Sequence, residues 1–411
     1  MTHASEQKLD ILSKIKELGS QTIIYGLGDS LYKLISFILL PLYLKYLSPA
    51  QYGTVETLIV TSGLVVSFIA LGLPNAVFRF YFRAESVGAR KKIVSTIFFL
   101  SLSVQFVVPF LFFLNSDLIS KLILKSPEFA FLFSIISANI FLTSFRYIPL
   151  YIFRAQKRPW MYTSVNFTVA LVTLLMNICF VSYLKKGVLG VILGNLCGGG
   201  VGLAMVLPAL FREIGWTFEI RLVKDILIYG VPLGLAQIPT TFMFMADRYF
   251  LARLTSLSDL GIYALAYKLG NVINVFLVMP FALAWAPFVF AHEQEKDAKI
   301  LYARMTNYLV IIGLALVVII STLSLDVIKL LTHRSEFQTA YKIVPFLSYA
   351  FFFYGLGYVF RTGILLSAKT YFTTIIMIIS LCFNLISNYV LIKVFGYAGA
   401  AYSFLLTFLC E

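Results

Sequence analysis

Between two apolar stretches the chain reads Lys45-Tyr46-Leu47-Ser48-Pro49-Ala50-Gln51-Tyr52-Gly53. Between two others it reads Arg253-Leu254-Thr255-Ser256-Leu257-Ser258-Asp259-Leu260-Gly261. The segments align at an offset of 208 (261 minus 53). Gly187 and Gly190 return as Gly396 and Gly399 at an offset of 209 (396 minus 187), so two separate places set nearly the same period. The chain reads as two related halves, and the segments around the repeated motifs decide what those halves are made of.

Those segments are apolar. Of 411 residues 60% are hydrophobic and only 13% are charged, and the mean hydropathy is +0.89. That composition belongs to a chain whose solvent is mostly lipid. Apolar stretches longer than about 18 residues recur along the chain, each able to cross a ~30 Å hydrocarbon core. Lipid cannot satisfy an exposed backbone, so the spans are helices.

The expected spans are Thr22–Leu44, Thr54–Leu73, Ile93–Leu114, Phe129–Phe153, Met161–Leu184 and Val191–Phe211 in one half. Ile226–Phe250, Ile262–Phe290, Thr306–Leu325, Ile343–Ser367, Tyr371–Leu391 and a segment from Ala400 make up the other. The fold class is all-α and polytopic: six-helix lobes at 1–211 and 226–411, a cytoplasmic connector at 212–225, and about twelve helices. The last span has only 11 residues before Glu411 (411 minus 400), where about 20 are needed, so it is expected to be unfinished. The first twenty-one residues carry Glu6, Lys8, Asp10, Lys14, Lys16 and Glu17 without an apolar core, so the first span, not a cleaved signal, is expected to direct insertion.

With the N-terminus in the cytoplasm, eighteen Lys and Arg fall inside and eleven outside, most densely at Arg79, Arg83, Arg90, Lys91 and Lys92. This follows the positive-inside rule and predicts a multi-pass protein of the inner (cytoplasmic) membrane. The net charge of +14 does not point to nucleic acid, because no soluble fold presents a basic face to phosphates. Cys179, Cys197, Cys382 and Cys410 sit in apolar spans without CxxC spacing, and His3, His292 and His333 lie in the tail or loops. No catalytic or metal-binding motif stands in a supporting context, so neither an enzyme nor a cofactor is expected.

With Arg248, at the outer end of the seventh span, counted on the outer side, four bases remain inside the spans: Lys33, Arg146, Lys268 and Arg361. Charge in lipid is costly and usually faces a bundle interior or a watery cavity. Helical spacing supports that placement: Tyr25, Asp29, Tyr32, Lys33 and Ser36 share a stripe, as do Asn139, Thr143 and Arg146, and Asn166, Thr173 and Asn177. So do Tyr267, Asn271 and Asn274, and Tyr354, Tyr358 and Arg361. The candidate cavity residues are therefore Tyr25, Asp29, Lys33, Asn139, Arg146, Lys268, Asn271 and Arg361. Two alternatives stay open: Arg146, Lys268 and Arg361 can snorkel to headgroups, and Asp29 can simply neutralise Lys33 one turn away. Asp247 and Arg248 form either a gate or a structural pair. Gly190, Gly194, Gly198 and Gly202 recur every fourth residue and predict close helix packing, while Pro232, Pro239, Pro280 and Pro287 predict kinks that free carbonyls toward a cavity.

Ile38-Leu39-Leu40-Pro41-Leu42-Tyr43-Leu44, followed by Tyr46-Leu47-Ser48-Pro49 and Tyr52-Gly53, resembles the opening of the polysaccharide biosynthesis family of flippases. Asp247-Arg248-Tyr249-Phe250-Leu251, Gly261-Ile262-Tyr263, Ala266-Tyr267-Lys268 and Trp285-Ala286-Pro287 are similar to that family's seventh and eighth helices. The resemblance implies the multidrug/oligosaccharidyl-lipid/polysaccharide exporter fold, with two six-helix lobes in a V that opens alternately to either side. It also implies a cargo, undecaprenyl-pyrophosphate-linked oligosaccharide repeat units moved outward for O-antigen, capsule or exopolysaccharide synthesis. The partners it implies are this lipid-linked oligosaccharide, membrane lipids, and a polysaccharide polymerase with its chain-length machinery. Proton or sodium coupling stays open. A cation-coupled drug or metabolite antiporter of the same fold would favour embedded carboxylates, which here number fewer than the bases, and a polymerase would need a sizeable outer loop.

Overall fold

The computed structural model of the protein describes residues 35 and 37–411, apart from 71, 216 and 368–370. Every regular element among these residues is helical. In chain order the helices are α1 Phe37–Tyr46, α2 Pro49–Ala70, α3 Leu73–Arg83, α4 Val87–Leu114, α5 Ser116–Leu124, α6 Ala130–Phe145, α7 Tyr147–Ala155, α8 Pro159–Asn177, α9 Gly187–Glu213 and α10 Ile220–Met243. They continue as α11 Ala246–Leu254, α12 Leu257–Gly270, α13 Met279–His292, α14 Ala298–Leu331, α15 Ser335–Gln338, α16 Val344–Phe360, α17 Thr362–Leu366, α18 Tyr371–Phe395 and α19 Tyr397–Cys410. Ten continuous segments of the described residues are long and apolar enough to cross a membrane, and α1 and α19 are shorter apolar helices. The protein is a multi-pass membrane protein.

The repeated motif has a physical role at both of its sites, because it starts a helix. The Ser48 N–H donates to Gln51 Oε1 at 3.0 Å and the Gln51 N–H to Ser48 Oγ at 3.2 Å, a reciprocal cap on α2. Ser256 and Asp259, 208 residues later, cap α12 in the same way at 3.3 and 3.1 Å. The two capped ends also touch one another. A methyl group on Gly53 would strike the Leu257 carbonyl oxygen, and one on Gly261 would strike that of Pro49, itself the equivalent of Leu257. Such a reciprocal contact is what a local two-fold relation produces, and only glycine permits the approach. The second repeat is conformational, since Gly187 and Gly396 both take positive φ, 57° and 59°, one as the first residue of α9 and the other immediately before α19.

The described residues gather into two compact units. The first contains Val65–Ser120 and Pro127–Leu235 with the described part of Met1–Leu42. Its core is drawn from α3, α4, α6 to α9 and the start of α10, with Ala76, Val77, Ile97, Ile148 and Val206 almost wholly enclosed. The second contains Tyr43–Leu64, Lys121–Ser126 and Ala236–Glu411. Its centre is a cluster of rings in which Phe244 meets Tyr354, Phe404 and Phe408 at centroid distances of 5.0, 5.8 and 5.4 Å.

Pro232 and Pro239 lie inside α10 without ending it, and the seventh span breaks later, at Phe244-Met245. In the eighth span α12 ends at Gly270, a π-helical turn covers Asn274–Val278, and Pro280 directly follows that turn at the start of α13. The glycine stripe of α9 packs as its spacing predicts. A methyl on Gly194 or Gly198 would collide with Asn177 or Thr173 of α8. Thr173 and Asn177 are therefore buried against a neighbouring helix and do not face a cavity, which corrects the reading of their stripe.

Candidate functional site

In the second unit, the break at Phe244-Met245 starts α11 with Asp247 and Arg248 inside the protein, 1% and 4% exposed. The Arg248 Nη1 donates to both Asp247 carboxylate oxygens at 2.8 and 2.9 Å and to the Phe244 carbonyl at 2.9 Å. The Tyr263 hydroxyl donates to Asp247 Oδ2. The guanidinium lies 3.7 Å from the centroid of the Tyr267 ring. Charge, hydrogen bonds and an aromatic face together compensate the buried ion pair, while the Arg248 Nε is buried without a hydrogen-bond partner among the described residues.

One face away, Lys268 of α12 reaches Glu56 of α2, with Nζ 2.5 Å from Oε1 and side chains 19% and 8% exposed. The ammonium also lies 5.2 Å from the centre of the Tyr52 ring. Lys268 is thus ion-paired within the unit and does not snorkel to a headgroup. Glu56 went unnoticed in the sequence, although its signal was plain: a carboxylate at the third position of the expected span Thr54–Leu73, a full seven residues (56 minus 49) after the start of α2 at Pro49. Counting it narrows the excess of embedded bases over carboxylates. Asn271 caps the end of α12 and accepts a hydrogen bond from Asn274 at 3.0 Å. Arg361 stands between α16 and α17. Its Nε donates to the Gly357 carbonyl at 2.9 Å, its Nη1 lies 3.3 Å from Glu411, and its guanidinium is 5.2 Å from the Tyr358 ring.

The first unit holds the equivalent arginine. Arg146 stands between α6 and α7 as Arg361 does between α16 and α17, and it is 9% exposed. Its side chain lies over Gly202 of α9, where a methyl group would come within 2.7 Å of Nη1. Asn139, two turns earlier, faces Gly199 and accepts from Thr143 at 3.3 Å. The structure therefore brings Asn139, Thr143 and Arg146 together on the glycine face of α9. Tyr25, Asp29 and Lys33 lie outside the described residues.

Sequence reading also missed a buried ladder between α18 and α19. Asn384 donates to Thr407 at 2.9 Å, Asn388 donates to Asn384 Oδ1 at 3.0 Å, and Ser387 and Ser403 share a hydrogen bond at 2.6 Å. Four-residue spacing of Asn384 and Asn388 was the available signal.

Residues 18–293 match the family described as polysaccharide biosynthesis protein, and residues 232–390 match the family described as MatE. Lsg locus protein 1 of Haemophilus influenzae is 23% identical over 301 residues, 70% of this chain and 69% of that protein. Among solved structures, the inward-facing conformation of a multidrug resistance MATE family transporter of the MOP superfamily has a TM-score of 0.77 at 14% identity, over 92% of each chain. Lipid II flippase MurJ in its inward closed conformation has a TM-score of 0.70 at 15% identity, over 94% of this chain and 85% of that one. At such identities the likeness is one of fold, the two-lobed twelve-helix arrangement of these transporters. The match over residues 18–293 takes in well over half of the 411 residues, and by it the chain belongs to the polysaccharide biosynthesis protein family.

Proposed function

We propose that the protein is a flippase that carries undecaprenyl-pyrophosphate-linked oligosaccharide repeat units from the cytoplasmic to the outer face of the cell membrane by alternating access of its two halves. Family membership over residues 18–293 carries this reading. Bases held inside the spans support it physically: pyrophosphate and acidic sugars are anions, and guanidinium groups bind such oxygens well. In this reading Lys33, Asp29, Tyr25, Arg146, Asn139, Lys268, Asn271 and Arg361 line the cargo path, Asp247 and Arg248 act as gate or brace, and residues 1–211 and 226–411 are the moving lobes. The basic ends face the cytoplasm, and a polymerase with its chain-length machinery takes the product outside.

A second reading is a cation-coupled drug or metabolite antiporter. The match of residues 232–390 to MatE and the embedded carboxylates Glu56 and Asp247 favour it. Each of those carboxylates already holds a base, however, so a proton or sodium ion would have to displace Lys268 or Arg248. That ranks the reading second.

The test is a deletion strain complemented with the full-length gene. Without the protein, and with no redundant flippase, the lipid-linked repeat unit should accumulate on the cytoplasmic face. Lys33→Ala should be clearly deficient, since a charged hydrogen bond to phosphate contributes about 1.5–3 kcal/mol, and Lys33→Arg should retain more function. Normal outward movement in the deletion strain would sink the assignment. Near-normal movement with Asp29→Asn and Lys33→Gln combined would show that those two residues only neutralise each other.

A further inference from the structure

At the basic end of the first unit, where α3 meets α4, α7 meets α8, and α9 runs into the connector, lies a cavity of about 310 Å³. Tyr81, Arg90, Lys91, Gln156, Arg158 and Glu213 supply its polar lining. Three bases face one carboxylate, which leaves an excess of two positive charges (three minus one); that carboxylate, Glu213, lies 3.5 Å from the Arg158 Nη1, so Arg158 is shared between it and the cavity. The Arg90 guanidinium lies 5.3 Å from the Tyr81 ring, a contact that orients it without cancelling its charge. Its Nε is buried and has no hydrogen-bond partner among the described residues. Val87 of the first turn of α4 also borders the cavity, so the positive end of a long helix dipole adds to the field.

The cavity has an apolar neighbour. A second space of about 180 Å³ is lined wholly by apolar side chains, among them Phe98 and Leu102 of α4 and Leu207, Leu210 and Phe211 of α9. Val94 borders the first cavity and Phe98 the second, one turn apart on α4. Glu213 and Leu210 stand in the same relation on α9. A charged pocket with an apolar one a single turn further along the same two helices fits an anion carried on a long hydrocarbon chain.

We infer that these adjoining cavities are a reception site for a prenyl pyrophosphate, with Arg90, Lys91 and Arg158 holding the head and Phe98, Leu207 and Leu210 receiving the first part of the chain. A pyrophosphate diester carries two negative charges, which match the excess of two, and a space near 300 Å³ is at the small end of ligand pockets. The inference rests on the flippase reading and adds a place: cargo is caught at the rim of the first unit, apart from the bases embedded in the spans. An anionic phospholipid offers the same phosphate-on-hydrocarbon chemistry with one charge, so the experiment separates the two sources.

The full-length protein in phosphatidylcholine nanodiscs is titrated with undecaprenyl pyrophosphate, with phosphatidylglycerol and with inorganic pyrophosphate, and binding is followed by native mass spectrometry. Undecaprenyl pyrophosphate should bind best. Arg90→Gln with Arg158→Gln should weaken it about tenfold or more, since two charge-assisted contacts are lost, while the paired lysine replacements should lose less. Glu213→Gln removes the one opposing carboxylate and should tighten binding. That variant keeps the idea testable if the double glutamine variant fails to fold, because a brace for the helices gives no reason for affinity to rise. Unchanged binding by a folded double glutamine variant, or unchanged or weaker binding by Glu213→Gln, would overturn the site and leave the flippase reading standing. Equal displacement by phosphatidylglycerol would overturn the pyrophosphate assignment. Failure of the unaltered protein to bind undecaprenyl pyrophosphate at all would overturn the flippase reading as well.

Discussion

The two units differ in how far their charges are neutralised: the second buries bases against both carboxylates and rings, while the first sets several arginines on rings alone. In the second, bases meet carboxylates one to one: Arg248 on Asp247, Lys268 on Glu56, Arg361 on Glu411. In the first, Arg158 meets Glu213 at 3.5 Å with side chains 47% and 24% exposed, and three further arginines at the basic end lie on aromatic faces. Arg79 is 4.3 Å from the Tyr229 ring, Arg90 is 5.3 Å from Tyr81, and Arg154 is 5.5, 5.3 and 5.8 Å from Phe78, Tyr151 and Tyr162. A carboxylate partner cancels a base's field, whereas an aromatic partner fixes its position and leaves the charge available. A repeated helical frame thus gives one unit whose charges brace it internally and another whose charges can receive an anion.

The contrast breaks most severely at Asp247. Replacing it by Asn leaves Arg248 buried without a counter-charge and turns one of the two oxygens that Arg248 and Tyr263 share into an amide donor, a loss of about 3–5 kcal/mol. Asp247→Asn should melt well below the unaltered protein in detergent, and adding Arg248→Gln should recover much of the loss. A single variant that melts normally would show that the pair does not brace the unit.

These charges mark where sequence reading succeeds and where it stops. The spans were legible because lipid demands long apolar helices, and the expected Phe129–Phe153 is realised as a segment from Pro127 to Ala155. The duplication was legible because a capping box and a close glycine crossing constrain residue type at fixed positions. Partners across helices were not legible: nothing local to Lys268 announces Glu56, which stands 212 positions earlier (268 minus 56). The break in the seventh span was not legible either: α10 runs through Pro232 and Pro239 to Met243, and the interruption at Phe244-Met245 carries no proline to announce it. The stripe of Thr173 and Asn177 was misread because periodicity shows that a face is polar, but not whether water or another helix meets it.

A smaller effect is expected at Glu56, whose partner keeps some access to its surroundings. Glu56→Gln should cost about 1–3 kcal/mol. The double change with Lys268→Gln should cost less than the sum of the singles in a thermal-melting cycle, and strict additivity would mean the contact contributes nothing. Smaller again is the effect in the first unit, where Tyr229→Leu removes the face under Arg79. An exposed cation–π contact is worth about 0.5–1 kcal/mol, so melting should fall only slightly. A drop as large as that of Asp247→Asn would erase the distinction between the units.

The central claim is tested most directly by moving the cargo across a membrane made for the purpose. The full-length protein is reconstituted into sealed proteoliposomes with labelled undecaprenyl-pyrophosphate-linked oligosaccharide in the inner leaflet, and the appearance of label to an impermeant glycan-modifying reagent outside is timed. The account predicts exposure far faster than in protein-free liposomes and slowed by Arg90→Gln with Arg158→Gln. Exposure no faster than in empty liposomes, from a preparation that remains folded, would contradict it.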